Sequence, residues 1–375
     1  MTATPEFTVG IEEEYLVVER DSRDLVREPD PAFLARCKEL TGERSTEEFL
    51  QCQVEVGTRP HARVTDALAD LRGLRQGIAD AAAEFGYAPI AASTHPFADW
   101  RHQTHTRKPR YEELEADLGQ TVRRLLICGC HVHVGIADED MRIDLMNQVA
   151  YFLPHLLAMS VSSPYWEGAD TGLASYRLTV FDALPRTGLP DQMDSYGEYR
   201  RLVQALVDAD CIEDATKIWW DIRPSAKFPT LEQRVTDVCA TAGDAAVIAA
   251  VFQAVMAYLV RLRSQNQRWR LYPAILINEN RWRAQRYGLS GEMIDHGKRT
   301  KVPASALIDE IADLVAEDAA ALGTAELLAA ARTIAERGTS ADRQRAAYAA
   351  ARERGADHRA ALVAVVDMLI GCFNA

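Results

Sequence analysis

Near the N-terminus, the run Thr8-Val9-Gly10-Ile11-Glu12-Glu13-Glu14-Tyr15-Leu16-Val17-Val18 sets three consecutive carboxylates inside strand-forming residues. Val, Ile, Tyr and Leu suit a pleated, half-buried surface and no helix cap precedes them, so a β-strand is predicted. Side chains of a strand alternate between faces. Glu12 and Glu14 therefore share one side, and Ile11, Glu13 and Tyr15 share the other. Two like charges on neighbouring same-face positions repel each other. Either this is a solvated edge strand, or water, a cation or a basic partner neutralises the pair.

The pattern recurs far along the chain. In Gln51–Gly57, Cys52, Val54 and Val56 face one way and Gln51, Gln53 and Glu55 the other. In Leu125–Gly135, His131 and His133 share a face opposite Cys130, Val132 and Val134. In Thr230–Asp237, Glu232, Arg234 and Thr236 share a face. A lone histidine is more often a satisfied core residue than a ligand, but a pair beside glutamate-bearing strands points to ligation. Sheets bury one face and solvate the other. An open face lined by Glu12, Glu14, Glu55, Glu232 and the histidine pair suits hard divalent cations such as magnesium, which keep waters or substrate phosphates in their shell. Arg234, with the basic segments around 101–110 and 268–301, would then hold phosphate.

The intervening segments read mainly as helices. Thr65 resembles an N-cap before a stripe at Leu68, Leu71, Leu74, Ile78, Ala81 and Phe85, closed by Gly86. Helices are also predicted over about Glu139–Met159, Tyr196–Val207 and Gly243–Arg263. Short strands are expected at Tyr87–Ser93 and Ser175–Phe181, and Asp21–Arg44 reads as charged and turn-rich. Segment 264–301 carries eight Lys or Arg against three acids, which fits an anion site or an ordinary surface lid. Beyond Pro303, stripes at Leu307/Ile311/Leu314, Leu327/Ala331/Ile334 and Leu362/Val366/Ile370 predict helices that pack and carry no chemistry. No repeat or low-complexity linker divides the chain. A single catalytic domain over 1–375 is expected, with 304–375 a helical C-terminal region packed on it.

Composition narrows the class. A formal net charge of −13 over 375 residues argues against nucleic acid or anionic lipid as a partner. No apolar run is seen to reach the roughly 18 to 20 residues of a membrane span, and no signal-peptide core opens the chain, so a cytoplasmic protein is expected. The seven cysteines are scattered. Cys52, Cys128, Cys211 and Cys372 lie among apolar neighbours, as core thiols do. Cys128-Gly129-Cys130 before the histidines suggests zinc, but Cys130 and His131 face opposite ways and no second pair stands at finger spacing. P-loop, dinucleotide-fold, metalloprotease and nucleophile-elbow motifs are all missing, so a nucleotide would be held by metals and arginines.

Five motifs in order carry a resemblance: Gly10-Ile11-Glu12-Glu13-Glu14-Tyr15, Cys130-His131-Val132-His133-Val134-Gly135, Pro185-Arg186-Thr187-Gly188, Thr230-Leu231-Glu232-Gln233-Arg234-Val235-Thr236-Asp237 and Glu279-Asn280-Arg281-Trp282-Arg283-Ala284. Together they resemble the ATP-dependent carboxylate–amine ligases of the glutamate–cysteine ligase type 2 family, over residue 7 to about 370. The resemblance implies an α+β, glutamine-synthetase-like fold: an antiparallel sheet forming a funnel, with helices on its outer face. It places Glu12, Glu14, Glu55, His131 and Glu232 at metal-ligand positions and Arg234 at a phosphate contact. His133 and Arg186 join Arg234 as candidate catalytic residues, and Lys227, Arg281 and Arg283 as candidates for holding ATP. Mg2+ or Mn2+, ATP, a small carboxylate (glutamate favoured), a small amine such as cysteine, and a homodimer are further implications. The reaction implied is amide formation through an acyl phosphate with release of ADP and phosphate, glutamate–cysteine ligation being a weak activity. A phosphotransferase acting on a guanidino-type acceptor, a metal-dependent hydrolase and a non-catalytic binding protein are the alternatives.

Overall fold

The structure, a computed structural model, describes residues 6–375, the side chain of Arg110 excepted. Seven strands form its main sheet: β1 (Val9–Glu19), β2 (Ser45–Glu47), β3 (Gln53–Gly57), β4 (Tyr87–Ile90), β5 (Cys130–Gly135), β6 (Ile222–Pro224) and β7 (Thr230–Gln233). Their spatial order is β6-β7-β5-β1-β3-β2, with β4 added along the C-terminal part of β1. Every pairing is antiparallel. The eleven residues of β1 make it the spine, because it is long enough to pair with β3, β4 and β5 at once.

One face of the sheet is closed by helices. Val64–Glu84 and Ala242–Ser264 pack on the strands and on each other, burying Ile11, Tyr15, Val54, Val56, Val132 and Val134. Glu13 lies on this closed side, wholly buried. Arg75, from the first of these helices, donates to both Glu13 oxygens at 2.8 and 2.9 Å and to the carbonyls of Cys239, Ala240 and Phe373. Tyr15 adds its hydroxyl to Glu13 at 2.6 Å. All five guanidinium N–H groups are thus used, which is the condition under which a buried ion pair is tolerated. The clasp joins sheet, helix and C-terminus.

Beyond the sheet, Ala304–Leu314 and Ala325–Arg337 pack together, and the latter lies on Ala242–Ser264. The expected stripes there include the buried residues Leu307, Ile311, Ala331, Ile334, Leu362 and Val366. Ala242–Ser264 is itself long and apolar enough to cross a membrane, contrary to the reading that no run is, but 83% of its apolar window is buried inside the protein. Asp244 and Gln253 interrupt it in sequence; Gln253 donates to the carbonyl of Phe7 at 2.7 Å.

Other local expectations change. Asp21–Arg44 contains the helix Pro31–Thr41, capped by Asp30 and closed by Gly42 at φ 63°. The helix expected to begin after Thr65 starts one residue before it, at Val64. Glu139–Met159 is broken: α-helix Glu139–Val149, a 3-10 turn, then Leu153–Ser160 restarting with Pro154. Proline lacks the amide an uninterrupted helix needs. Ser175–Phe181 is no strand but contains the helix Arg177–Phe181. So short an apolar run fits either period. What fixes it is the buried Asp237 carboxylate, which accepts from the Ser162 amide and the Ser163 and Ser175 hydroxyls, each at 2.8 Å. All seven cysteines are free thiols; Cys211 is exposed rather than a core residue.

Candidate active site

On the open face, strand register does the assembling. Glu12 stands opposite His131, Glu14 opposite Glu55, Glu232 opposite His133, and Arg223 opposite Glu232. Because strand side chains alternate and cross-strand partners share a face, these groups all project into one cavity of about 530 Å³. Gln53, Arg234 and Lys227 line it too.

Two groups of donor atoms, each within 4.8 Å of one another, form inside it: Glu12, His131 and Glu232, and Glu14, Glu48 and Glu55. The first is balanced by cations. Burial raises the Glu12 carboxyl, but the His131 and His133 rings at 3.6 and 3.4 Å outweigh it and hold it well below the usual range. Burial likewise works against Glu232, yet Arg234 and Arg223 keep it ionised; Arg223 donates to it at 3.0 and 3.2 Å, and Arg234 donates as well. His131 is pushed down to about 4, by burial and then by Arg234, so its ring is neutral near pH 7. Its Nε2 is buried and has no partner among the described residues. The Nδ1 atom of His133 meets the Thr230 hydroxyl at 2.9 Å, which turns Nε2 toward Glu12.

The second group is short of positive charge. Burial raises Glu14, Glu48 and Glu55, and neighbouring carboxylates add to it: Glu12 at Glu14, Glu14 at Glu48, and Glu48, Glu12 and Glu14 at Glu55, where the rise is greatest. Against this, Arg177 and the Gly129 amide, 2.7 Å away, favour the ionised form of Glu14. Oxygen-rich donors with one neutral imidazole are the set that magnesium or manganese takes.

Glu48, Arg177 and Arg223 were not among the residues singled out from the sequence. Glu48 follows the end of β2 and has no alternating neighbours to mark it. Arg177 sits in the segment taken for a strand, and Arg223 follows the conspicuous Trp219-Trp220-Asp221 run, beside a proline. Gly129 was visible only as a spacer. A methyl group there would lie 2.5 Å from Arg177 Nη2 and 3.0 Å from His131 Nε2, so the close approach of those two requires glycine.

Three predicted residues do not line the cavity. Arg281 is buried between Asp221 and Asp182, donating to each at 2.6 Å. Two carboxylates already neutralise it, so it is no phosphate ligand. Arg283 donates to the Glu292 carbonyl and lies beside Tyr287. Arg186, at φ 61°, donates to the Lys217 carbonyl at 2.9 Å and lies over Trp219. It supports two lining residues from behind. Of the basic loop, Lys108 reaches the cavity, whereas Arg101 pairs with Asp99 and Glu167.

An antiparallel sheet with acid clusters on its open face and helices packed behind it is an α+β architecture of the kind that solved ligases share. Comparison with solved structures agrees. The fold matches glutamate–cysteine ligase from Francisella tularensis in complex with AMP at a TM-score of 0.68, with 13% identity, over 98% of this chain and 89% of that one. It matches a bifunctional glutathione synthetase from Pasteurella multocida at 0.71 and 15% identity, over 98% of this chain and 53% of that one. Closer in sequence are candidate glutamate–cysteine ligase 2 proteins of Jannaschia (53% identity, 98% of this chain and 97% of the relative) and Rhodospirillum rubrum (55%, 98% and 95%). The profile of glutamate–cysteine ligase family 2 matches residues 8–363. The chain belongs to that family and is a ligase.

Proposed function

We propose that this ligase joins a small carboxylate, glutamate by family precedent, to an amine at the expense of ATP, with divalent magnesium or manganese held on the open sheet face. The observation that carries the reading is the union, in one cavity, of two three-donor clusters with Arg234 and Arg223 beside them. Glu12, His131 and Glu232 fit one ion, and Glu14, Glu48 and Glu55 fit another; the partnerless His131 Nε2 and the undercompensated carboxylates are what a bound cation satisfies. When bound, such ions offset the charge of the phosphate oxygens during transfer.

The chain's own groups supply positioning. Arg234 and Arg223, tied to Glu232, present fixed positive charge to phosphate, and Lys227 and Lys217 extend it along the wall. A substrate carboxylate oxygen takes the γ-phosphoryl group as the bond to the β-phosphate oxygen breaks, giving an acyl phosphate and ADP. The amine nitrogen then bonds to the acyl carbon. The carbon–oxygen bond breaks, phosphate leaves with its electron pair, and the surplus proton passes to solvent. His133 orients Glu12. No protein nucleophile takes part.

The test is incubation with Mg-ATP, glutamate and a panel of amines. Amine-dependent release of ADP and phosphate with a new amide by mass spectrometry is expected. ADP with a stable phosphorylated acceptor and no phosphate would instead identify a phosphotransferase.

A further inference from the structure

Six large apolar side chains stand exposed among the described residues, and four of them are on one helix, Ala274–Tyr287: Ile275, Leu276, Trp282 and Tyr287. Leu40 and Phe228 belong to other segments, Phe228 to the cavity wall. The inner side of this helix already has its partners. Ile277, Asn280, Arg281, Ala284 and Gln285 are buried, and the helix packs on Leu153–Ser160 and Glu292–Asp295. A helix that packs by one face normally shows water a polar stripe on the other. Here Ile275 is 76% exposed and Trp282 49%.

Helical spacing gathers these residues on one surface. Ile275, Glu279, Trp282 and Arg286 form one row, and Leu276, Arg283 and Tyr287 run beside it. The Tyr287 ring is fixed rather than loose. Arg283 and Arg286 lie against it at 5.6 and 5.0 Å, and they are tied in turn to the Glu292 and Gly172 carbonyls. Aromatic, aliphatic and arginine side chains without lysine are the composition of an interface core, not of a solvated surface.

The face is also its own complement. A two-fold contact sets each residue against the image of another, so a surface that pairs with itself needs opposite charges at symmetry-related positions. With two copies antiparallel and the axis beside residue 281, Glu279 faces the partner's Arg283 and Ile275 faces the partner's Tyr287. The two Trp282 rings then meet nearest the axis. Within one chain Glu279 and Arg283 are 3.8 Å apart, too far for a hydrogen bond, and the Glu279 side chain is half exposed, so its carboxylate is free to take a second guanidinium. A stable interface covers about 800 Å² of each partner. The helix, about 21 Å long, supplies the core of such an area. The neighbouring hairpin, Glu292–Asp295 with Thr300–Pro303, supplies a polar rim through the exposed Glu292, Lys298, Arg299 and Lys301.

We infer that a second copy of this chain docks on the outer face of Ala274–Tyr287, antiparallel, through Ile275, Trp282 and Tyr287 and two Glu279–Arg283 ion pairs between the copies. The inference does not depend on the ligase reading.

The experiment is sedimentation velocity on the full chain at micromolar concentration. The parent is expected to be a dimer. Trp282→Glu, at a half-exposed position where the melting curve should stay in place, is expected to sediment as a monomer. Charge reversal tests the register. Glu279→Arg alone and Arg283→Glu alone each set like charges against one another across the axis, and each should weaken self-association by at least about tenfold. Mixed in equal amounts, the two variants present opposite charges at both contacts, and a dimer with one copy of each should form. Local damage to the helix is not repaired by mixing, so recovery separates a lost contact from misfolding. A monomeric parent overturns the inference. So does a dimer that Trp282→Glu leaves intact, or a mixture that stays monomeric.

Discussion

Glu12, Glu13 and Glu14 are consecutive in sequence yet stand in three different electrostatic surroundings. Glu12 meets two imidazoles, Glu14 meets two further carboxylates, and Glu13 meets a guanidinium on the closed side of the sheet. Substitution separates them. Glu14→Gln is expected to lower turnover by about 100-fold or more, because it removes a charged donor from the cluster, with little loss of stability. Glu13→Gln leaves the Arg75 charge buried and uncompensated, and should cost about 3–5 kcal/mol in chemical denaturation without changing the magnesium requirement of the folded fraction. Equal effects from the two would contradict the assignment of faces. Alternation made this division legible in the sequence. It did not reveal Arg75, since nothing local marks one arginine among the charged residues of an amphipathic helix. A second residue-scale expectation concerns pH. His95 accepts from the Phe97 and Ala98 amides at Nδ1 and donates from Nε2 to the Arg23 carbonyl, and burial pushes it down to about 4. Above pH 6.5 the ring is neutral in both folded and unfolded chains and adds no pH dependence. Between about 6.5 and 4 only the unfolded chain binds the proton, so stability falls with falling pH, by up to roughly 3 kcal/mol from this residue. His95→Asn keeps an acceptor for the two amides and should flatten the fall measured by denaturation midpoints between pH 7.5 and 4.5; His155, also pushed to about 4, retains its own share.

Among the elements, the helix Ala274–Tyr287 acts at a distance. Arg281 holds the Asp221 carboxylate, and the carbonyl of the same Asp221 accepts the Arg234 amide at 2.8 Å. One residue anchors the turn between Trp220 and β6 and the backbone that carries Arg234 out of β7. Arg281→Met is therefore expected to misplace Arg234 and Arg223 and to lower kcat by about tenfold or more, since small displacements of positioning groups are costly. Arg281→Lys, able to reach one carboxylate, should recover part of it. A loss of stability with unchanged kcat and ATP KM in the folded fraction would show a purely structural role. Long elements with clear periods were legible: Val64–Glu84, Tyr196–Asp208, Ala242–Ser264 and the acidic strands all fall close to where the pattern puts them. Short apolar runs were not. Ser175–Phe181 satisfied a two-residue period and became helical because a buried aspartate, contributed from far along the chain, claimed its serine hydroxyl. In the basic run 264–301, which fitted either an anion site or an ordinary lid, folding sets Arg281 against two aspartates that no local pattern connects to it.

At the scale of the whole molecule, the closed side of the sheet stabilises the fold and the open side destabilises it. Helices, the Arg75 clasp and an apolar core lie behind the strands, whereas in front Glu14, Glu48 and Glu55 crowd together with their carboxyls raised by burial and by nearby carboxylates, Glu12 among them. A carboxyl raised in the folded state means the fold binds more protons than the unfolded chain, so this cluster's cost is present at neutral pH and relieved as pH falls toward 4.5. A divalent ion removes the same cost by binding only the folded site, and stabilises by about 2.7 kcal/mol at a hundred times its dissociation constant. Melting curves should therefore rise on adding magnesium to chelator-treated protein. Glu55→Gln separates the two contributions, because it removes repulsion and a ligand together. In chelator at pH 7 the variant should melt above the parent, the gap should narrow toward pH 4.5, and the upward shift with magnesium should shrink or vanish. Activity falls while stability rises, the sign that marks a cluster kept for chemistry rather than for folding. A variant that melts lower in chelator at pH 7 would mean the three carboxylates support the fold, and the second ion site would have to be withdrawn.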